Sequence, residues 1–166
     1  MTEGDLQVSL DDAIDVRKFD SDEHGLSHCM KAVDFVVEFD DRYLFIEFKD
    51  PQDPDVPVGR RYEVIEEFRI SSIDNELIGK YRDSFLYEWA SGRANKPIQY
   101  FVLIGLDDMQ AGDLAVRTSS LQRAIPLRGP GGEPWMRPIV SECAVFNIES
   151  WNRRFPRYQV ERLSEA

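Results

Sequence analysis

The sequence predicts a mixed α/β domain in which a central β-sheet is flanked by helices. Two apolar runs on either side of Asp40-Asp41 are typical of a β-hairpin, and the continuous run IQYFVLIGL over residues 98–106 is typical of a strand buried on both faces. Between them, apolar residues at helical spacing over residues 74–90 indicate a long helix. We find no internal repeat, so residues 1–166 are expected to form one domain.

The first half of the chain adds three further elements. A short helix is expected over residues 10–19, followed by a loop with the sequence SDEHGLSHC and by the hairpin over residues 31–49. Three prolines in the next segment, DPQDPDVPVG, exclude both a helix and a central strand there. Asp74 can cap the long helix, and Gly92 and Pro97 lie where it ends.

The second half continues the alternation of strands and helices. After the buried strand, a helix is expected over residues 113–124, then the loop RGPGGEP, the strand CAVFNI and the tail ESWNRRFPRYQVERLSEA. The tail interleaves arginines with aromatic residues, as segments that bind nucleic acid do. We favour the simpler interpretation, in which Trp151, Phe155 and Tyr158 pack the tail on the core.

The composition excludes several classes of protein. No apolar run approaches the roughly 20 residues of a membrane span, so no membrane partner is expected. The N-terminus is acidic and lacks the features of a secretory signal, which predicts a cytoplasmic protein in which Cys29 and Cys143 are free thiols. The net charge is −11: residues 1–57 contain 16 Asp and Glu against 5 Lys and Arg, whereas residues 58–166 contain 15 of each kind. This acidity argues against nonspecific coating of nucleic acid but not against a cation site.

Three charged residues interrupt the apolar hairpin. If the turn is centred between Asp40 and Asp41, residue numbers of cross-strand partners sum to a constant, and Asp34 falls opposite Glu47. Alternation places Lys49 on the same face, whereas residues 33, 35, 37, 39, 44, 46 and 48 form an apolar face. Two carboxylates this close repel by about 3 kcal/mol at an effective dielectric near 20, so a positive partner is expected.

A divalent cation is one such partner. Two converging carboxylates beside a backbone carbonyl describe a Mg²⁺ site that water completes. Bound Mg²⁺ polarises a phosphoryl oxygen, and a nearby lysine stabilises developing negative charge, which is the chemistry of phosphodiester hydrolysis.

The spacing of these residues resembles a known signature. Asp34, followed 13 residues later by Glu47-Phe48-Lys49, is similar to the D…(D/E)-x-K pattern of the PD-(D/E)XK nuclease superfamily. The resemblance covers roughly residues 10–106 and implies a restriction-endonuclease-like mixed sheet flanked by helices. It also implies that Asp34, Glu47 and the Phe48 carbonyl bind Mg²⁺ or Mn²⁺, and that Lys49 acts on the attacking water. The family pattern has a strand before the hairpin, for which LSHCM is the candidate, and an acid from the first helix, for which Asp11, Asp12 and Asp15 remain open.

The sequence therefore supports three interpretations. The first is a metal-dependent nuclease that acts on DNA or RNA through Asp34, Glu47 and Lys49. The second is a catalytically inactive protein of the same fold that binds a protein partner, for example as an acidic partner or an immunity-type protein. The third is a metal-free α/β domain whose charges form a salt-bridged surface cluster. We interpret His24, His28 and Cys29 as a solvated loop rather than zinc ligands, and Lys80 and Arg82 as a solvated helix face.

Overall fold

The structure is a computed structural model that describes residues 1–21, 25, 27–70 and 72–165, apart from the side chain of Arg69. The described chain is a mixed α/β arrangement with two sheets and four α-helices. The strands are β1 (Thr2–Glu3), β2 (Leu6–Val8), β3 (Asp15–Lys18), β4 (Phe35–Glu38), β5 (Tyr43–Lys49), β6 (Ile98–Ile104), β7 (Glu142–Asn147) and β8 (Val160–Arg162). The helices are α1 (Val58–Arg69), α2 (Asp74–Ala90), α3 (Ala111–Ala124) and α4 (Ile148–Arg154).

The larger sheet has five strands in the order β3-β4-β5-β6-β7. Strands β3, β4 and β5 are antiparallel neighbours, whereas β5, β6 and β7 run parallel. Parallel neighbours need a long crossover, and the helices α1 and α2 occupy the connection between β5 and β6, as α3 does between β6 and β7. The smaller sheet has the order β1-β2-β8 and joins both ends of the chain.

Each face of the larger sheet packs against a hydrophobic core. Phe45 and Tyr100 belong to the core that includes Leu77 and Tyr81 of α2, while Ile46 and Phe101 belong to the core that includes Leu6 and Trp151. Helices therefore cover one face, and the smaller sheet with α4 covers the other. The hairpin face that carries Glu47 is consequently buried under α2.

Most of the predicted central elements are confirmed. The hairpin forms with strands Phe35–Glu38 and Tyr43–Lys49, α2 spans Asp74–Ala90, and the buried strand spans Ile98–Ile104. The predicted helix at residues 113–124 and the strand CAVFNI correspond to α3 and β7. On the apolar hairpin face only Val33 departs from the prediction, because it precedes β4 and packs in the core beneath α2.

The predicted helix over residues 10–19 is wrong. Residues Asp15–Lys18 form strand β3, which pairs antiparallel with β4 so that Arg17 lies opposite Val36. Without β3, the outer edge of β4 would leave its backbone hydrogen-bonding groups unpaired, and this requirement outweighs the local pattern. The strand before the hairpin is thus β3 and not LSHCM, of which residues 27–29 form a turn and Leu26 lies outside the described residues.

Helix α1, helix α4 and strand β8 were not predicted. Helix α1 begins directly after Pro57, a position that tolerates proline because the first N–H groups of a helix have no partner within it. In the tail, Trp151 is 1% exposed and its indole N–H donates to the Tyr158 carbonyl. The aromatic residues of the tail therefore pack on the core, as favoured from the sequence.

Candidate functional site

The two predicted carboxylates lie close together at one end of the hairpin. Phe35 pairs with Ile46, which is the predicted register, and Asp34 and Glu47 are the next residues along each chain segment. The backbone holds Asp34 firmly, since its carbonyl accepts the Phe19 N–H at 2.7 Å and its Oδ2 accepts the Phe48 N–H at 2.6 Å. Both side chains are withdrawn from solvent, and Glu47 is 0% exposed.

Two lysines compensate this pair of carboxylates. Lys80 of α2 places its Nζ 3.2 Å from Asp34 Oδ1 and 2.7 Å from Glu47 Oε1, so the ammonium lies between the two acids. Lys49 lies 3.0 Å from the same Glu47 oxygen and donates to Glu76 Oε1 at 2.9 Å. The predicted positive partner is therefore present within the chain, and it comes chiefly from Lys80.

Burial dominates the protonation of this cluster. Desolvation, together with the Asp34 charge, raises the pKa of Glu47 from 4.5 to about 7, against the opposing effect of both lysines. Although burial acts to lower the pKa of Lys80, the Glu47 and Asp34 carboxylates raise it above its usual value. Burial thus disfavours the ionised form of Glu47 in this cluster.

One carboxylate oxygen of Glu47 has no partner. Glu47 Oε1 lies 2.7 Å from Lys80 Nζ and 3.0 Å from Lys49 Nζ, whereas Glu47 Oε2 has no partner among the described residues. A buried carboxylate oxygen without a partner is costly unless a proton, water or cation satisfies it.

The charge of the cluster also fits a cation. The acids Asp20, Asp34, Glu47 and Glu76 contact Lys49 and Lys80, and Asp20 Oδ2 lies 3.7 Å from Lys80 Nζ. Lys31 lines the same cleft, so the four acids, when ionised, exceed the three lysines by one charge. The N–H and C=O of a strand residue point to the same side, so the Phe48 carbonyl faces the Asp34 side of β5. These oxygens are ligands that Mg²⁺ accepts, whereas the position between the carboxylates is taken by Lys80.

A complete set of side-chain ligands is not assembled. Within the described residues, no group of three or more His, Cys, Asp and Glu side chains has the arrangement of a metal site. The zinc alternative has no support either, because His28 and Cys29 lie exposed in a turn and His24 lies outside the described residues. A metal at Asp34 and Glu47 would need the Phe48 carbonyl, water and the departure of Lys80.

None of the three acids considered from the first helix joins the cluster. Asp15 is at the opposite end of β3 and contacts Arg17, Asp12 accepts from Tyr158, and Asp11 has no described contact with the site. The acids that join are Asp20, which follows β3, and Glu76 of α2.

Lys80 was misassigned to a solvated face. Its side chain is 13% exposed and points at the hairpin. Helical spacing carried the signal for this, because Lys80 lies three residues after Leu77 and four before Ser84, both of which are 0% exposed. The polar residues on this inner face of α2 each meet a partner, since Ser84 accepts the Val33 N–H and Glu88 pairs with Arg17 and Arg93.

Comparisons with known proteins add no assignment to this geometry. No helix in the described part of the chain combines the length and apolarity needed to cross a bilayer. Comparison of the chain with family models, with curated proteins and with solved structures gives no match.

Proposed function

We propose that the protein is a metal-dependent phosphodiester hydrolase that acts on DNA or RNA, with a restriction-endonuclease-like fold. The observation that supports this best is the convergence of Asp34 and Glu47 on a single cation position, with Lys49 beside it. The unpartnered Glu47 Oε2 and the excess of carboxylates over lysines also favour a divalent cation there.

The proposed site residues have different roles in the reaction. Asp34, Glu47 and the Phe48 carbonyl would hold Mg²⁺ or Mn²⁺ once Lys80 moves aside, and the ion would supply Lewis-acid polarisation of a phosphoryl oxygen. Lys49 contributes a positive charge beside the carboxylates, where it stabilises negative charge that develops on the phosphoryl group and orients the attacking water. Glu76 orients Lys49 through the 2.9 Å hydrogen bond.

A cleavage assay tests this function. Purified wild type should degrade at least one member of a panel of single- and double-stranded DNA and RNA in Mg²⁺ or Mn²⁺. Lys49→Ala should lower the rate on the order of 10²–10³-fold while retaining metal binding, because it removes a contact made in the transition state.

The control is an Arg153→Ala protein, prepared identically, which removes an exposed positive charge on α4 whose described ion pair is with Glu149 and not with the cluster. If wild type and Lys49→Ala degrade the panel equally, contaminating nuclease explains the activity. If neither protein cleaves, the hydrolase proposal fails.

The second candidate is a catalytically inactive protein of this fold that binds a protein partner. The observation that favours it is Lys80, whose ammonium already occupies the cation position. In that case the cluster is a network of ion pairs inside the protein, and titration of wild type with Mn²⁺ should show no binding.

A further inference from the structure

A surface groove leads from the edge of the larger sheet to the candidate site. Its outer part is a cleft of about 550 Å³ between β3 and the end of α2. Phe19 and Tyr87 line both this cleft and the next one, which in turn shares Met30 and Lys31 with a third. The third cleft ends at Lys80, which contacts Asp34 and Glu47. The three clefts follow one another along this surface, and the middle one, of about 10 Å³, is narrow; we call this row of clefts the groove.

The outer part of the groove is basic in a strongly acidic chain. Arg17, Lys18 and Arg93 line it, and no described carboxylate does, although the chain carries a net charge of −11. Both arginines bind the same buried carboxylate, Glu88, at 2.9–3.1 Å. Arg17 also pairs with Asp15 at 3.4 Å and Lys18 with Glu3 at 2.9 Å, and a bound polyanion would compete with these two solvent-accessible carboxylates. Toward the site, Lys31 and Lys80 line the next two clefts together with Asp83, Asp20 and Glu76. The basic lining of the outer part is complementary to a polyanion.

Each arginine also lies near an aromatic ring. The Arg93 guanidinium lies 5.6 Å from the centroid of the Tyr87 ring, and that of Arg17 lies 5.9 Å from the Phe19 ring. Their side chains remain 43% and 31% exposed. Because Glu88 fixes both groups, they present preformed cationic planes at little cost in side-chain entropy. Guanidinium planes and aromatic rings are surfaces on which unpaired nucleobases stack.

We propose that this groove binds single-stranded nucleic acid, with unstacked bases against Arg17 and Arg93 and phosphates along Lys18 and Lys31. The inference rests on the proposed function, which makes a phosphodiester bond of the bound strand the group that reaches Glu47. A single strand fits better than a duplex for two reasons. The candidate site is recessed, since Glu47 is 0% exposed. The planar guanidinium groups can stack on unpaired bases, whereas the bases of a duplex are already stacked on one another.

The test measures binding without cleavage, by fluorescence anisotropy of labelled oligo(dT) and oligo(U) of about 12 nucleotides in EDTA. The variant Lys18→Glu/Lys31→Glu reverses two exposed charges in the groove. Its matched control, Arg153→Glu/Arg157→Glu, reverses two exposed charges on the tail and changes the net charge equally. We expect the groove variant to weaken binding by at least about tenfold at low salt and the control by less than about twofold. Loss of two phosphate contacts should also reduce the salt slope by about 1.4.

A second variant tests stacking without removing charge. Arg93→Lys can keep an ion pair with Glu88 but loses the planar group, so it should weaken binding of oligo(dT) several-fold and leave binding of an abasic oligomer unchanged. Equal affinities of the groove and tail variants, no saturable binding by wild type, or tighter binding of duplex than of single strand would each overturn the inference.

The outcomes separate this inference from the proposed function. Groove-dependent binding without metal-dependent cleavage supports the groove and defeats the hydrolase. Metal-dependent cleavage that Lys18→Glu/Lys31→Glu leaves unchanged in rate and in KM supports the hydrolase and defeats the groove.

Discussion

Glu47 is the residue on which the account of the site depends. It is fully buried beside a second carboxylate, and burial together with the Asp34 charge raises its pKa to about 7. Without a metal, the side chain is satisfied best when it carries a proton. With a divalent cation, the ionised form is favoured and the unpartnered Oε2 gains a ligand.

This raised pKa predicts an unusual dependence of stability on pH. Between about 4.5 and 7 the unfolded chain releases the Glu47 proton and the folded protein keeps it, so stability falls as pH rises through this window. In EDTA, the free energy of unfolding of wild type relative to Glu47→Gln should decrease between about pH 5 and pH 8, by at most about 3 kcal/mol. Urea unfolding at a series of pH values measures it. A difference that stays constant with pH would contradict the assignment.

The position of Lys80 leads to a separate prediction about metal affinity. Because its ammonium fills the position between Asp34 and Glu47, it competes with any divalent cation for that position. Lys80→Met should therefore bind Mn²⁺ at least about tenfold more tightly than wild type and be less stable in EDTA, where two carboxylates are left without their main partner. Calorimetric titration and thermal melts measure both effects.

The control for this prediction is Lys31→Met, which removes a charge from the same cleft but not from the cluster. If Lys31→Met increases Mn²⁺ affinity as much as Lys80→Met does, the effect is general electrostatics and not competition for one position.

At the level of the elements, the register of the β4-β5 hairpin was predictable from the sequence and strand β3 was not. The turn at Asp40-Asp41 and the alternation of apolar residues fix the pairing of β4 with β5 through local information. Strand β3 has only four residues, and its reason for being a strand lies in β4, whose outer edge it pairs. Such a requirement is non-local and leaves no periodicity in the sequence.

The same distinction explains which site residues were found. Asp34, Glu47 and Lys49 are related by the hairpin alone and were predicted together. Lys80 and Glu76 reach them from α2, so their roles depend on how that helix docks on the sheet. Helical spacing could have shown that Lys80 faces inward, but not that it meets Asp34.

The docking of α2 on α3 depends on a buried ion pair. Arg117 of α3 donates to both oxygens of Asp74 at 3.1 and 3.2 Å, and both residues are buried. Asp74→Ala should destabilise the protein by about 3–5 kcal/mol, since it leaves a buried guanidinium without its partner. Urea denaturation measures the loss.

Two further variants show whether the loss comes from the uncompensated charge. Asp74→Ala/Arg117→Met should recover much of the stability, and Glu149→Ala, which breaks an exposed ion pair of α4, should change stability by less than about 1 kcal/mol. A double variant no more stable than Asp74→Ala alone would show that packing, and not charge, accounts for the effect.

At the scale of the whole molecule, the chain ends support the strand that carries the site. Arg162 of β8 binds Asp50 at 2.9 and 3.0 Å, Asp5 at 3.3 Å and the Gly105 carbonyl at 3.0 Å. Asp50 directly follows Lys49, so this network fixes the end of β5 from the side opposite α2. Some acids in the first third of the sequence, such as Asp5 and Asp50, therefore form structural ion pairs. Others, such as Asp34 and Glu47, belong to the cluster.

Binding of Mn²⁺ to wild type and to Asp34→Asn measures whether Asp34 and Glu47 hold a divalent cation, as we propose. The substitution keeps an oxygen that can accept the Phe48 N–H, so the fold is retained while one charged ligand is lost. Titration followed by electron paramagnetic resonance should show one Mn²⁺ site in wild type, accompanied by a rise in melting temperature, and neither in Asp34→Asn. Absence of a saturable site in wild type, or a site of equal affinity in both proteins, would show that Asp34 and Glu47 do not form a cation site.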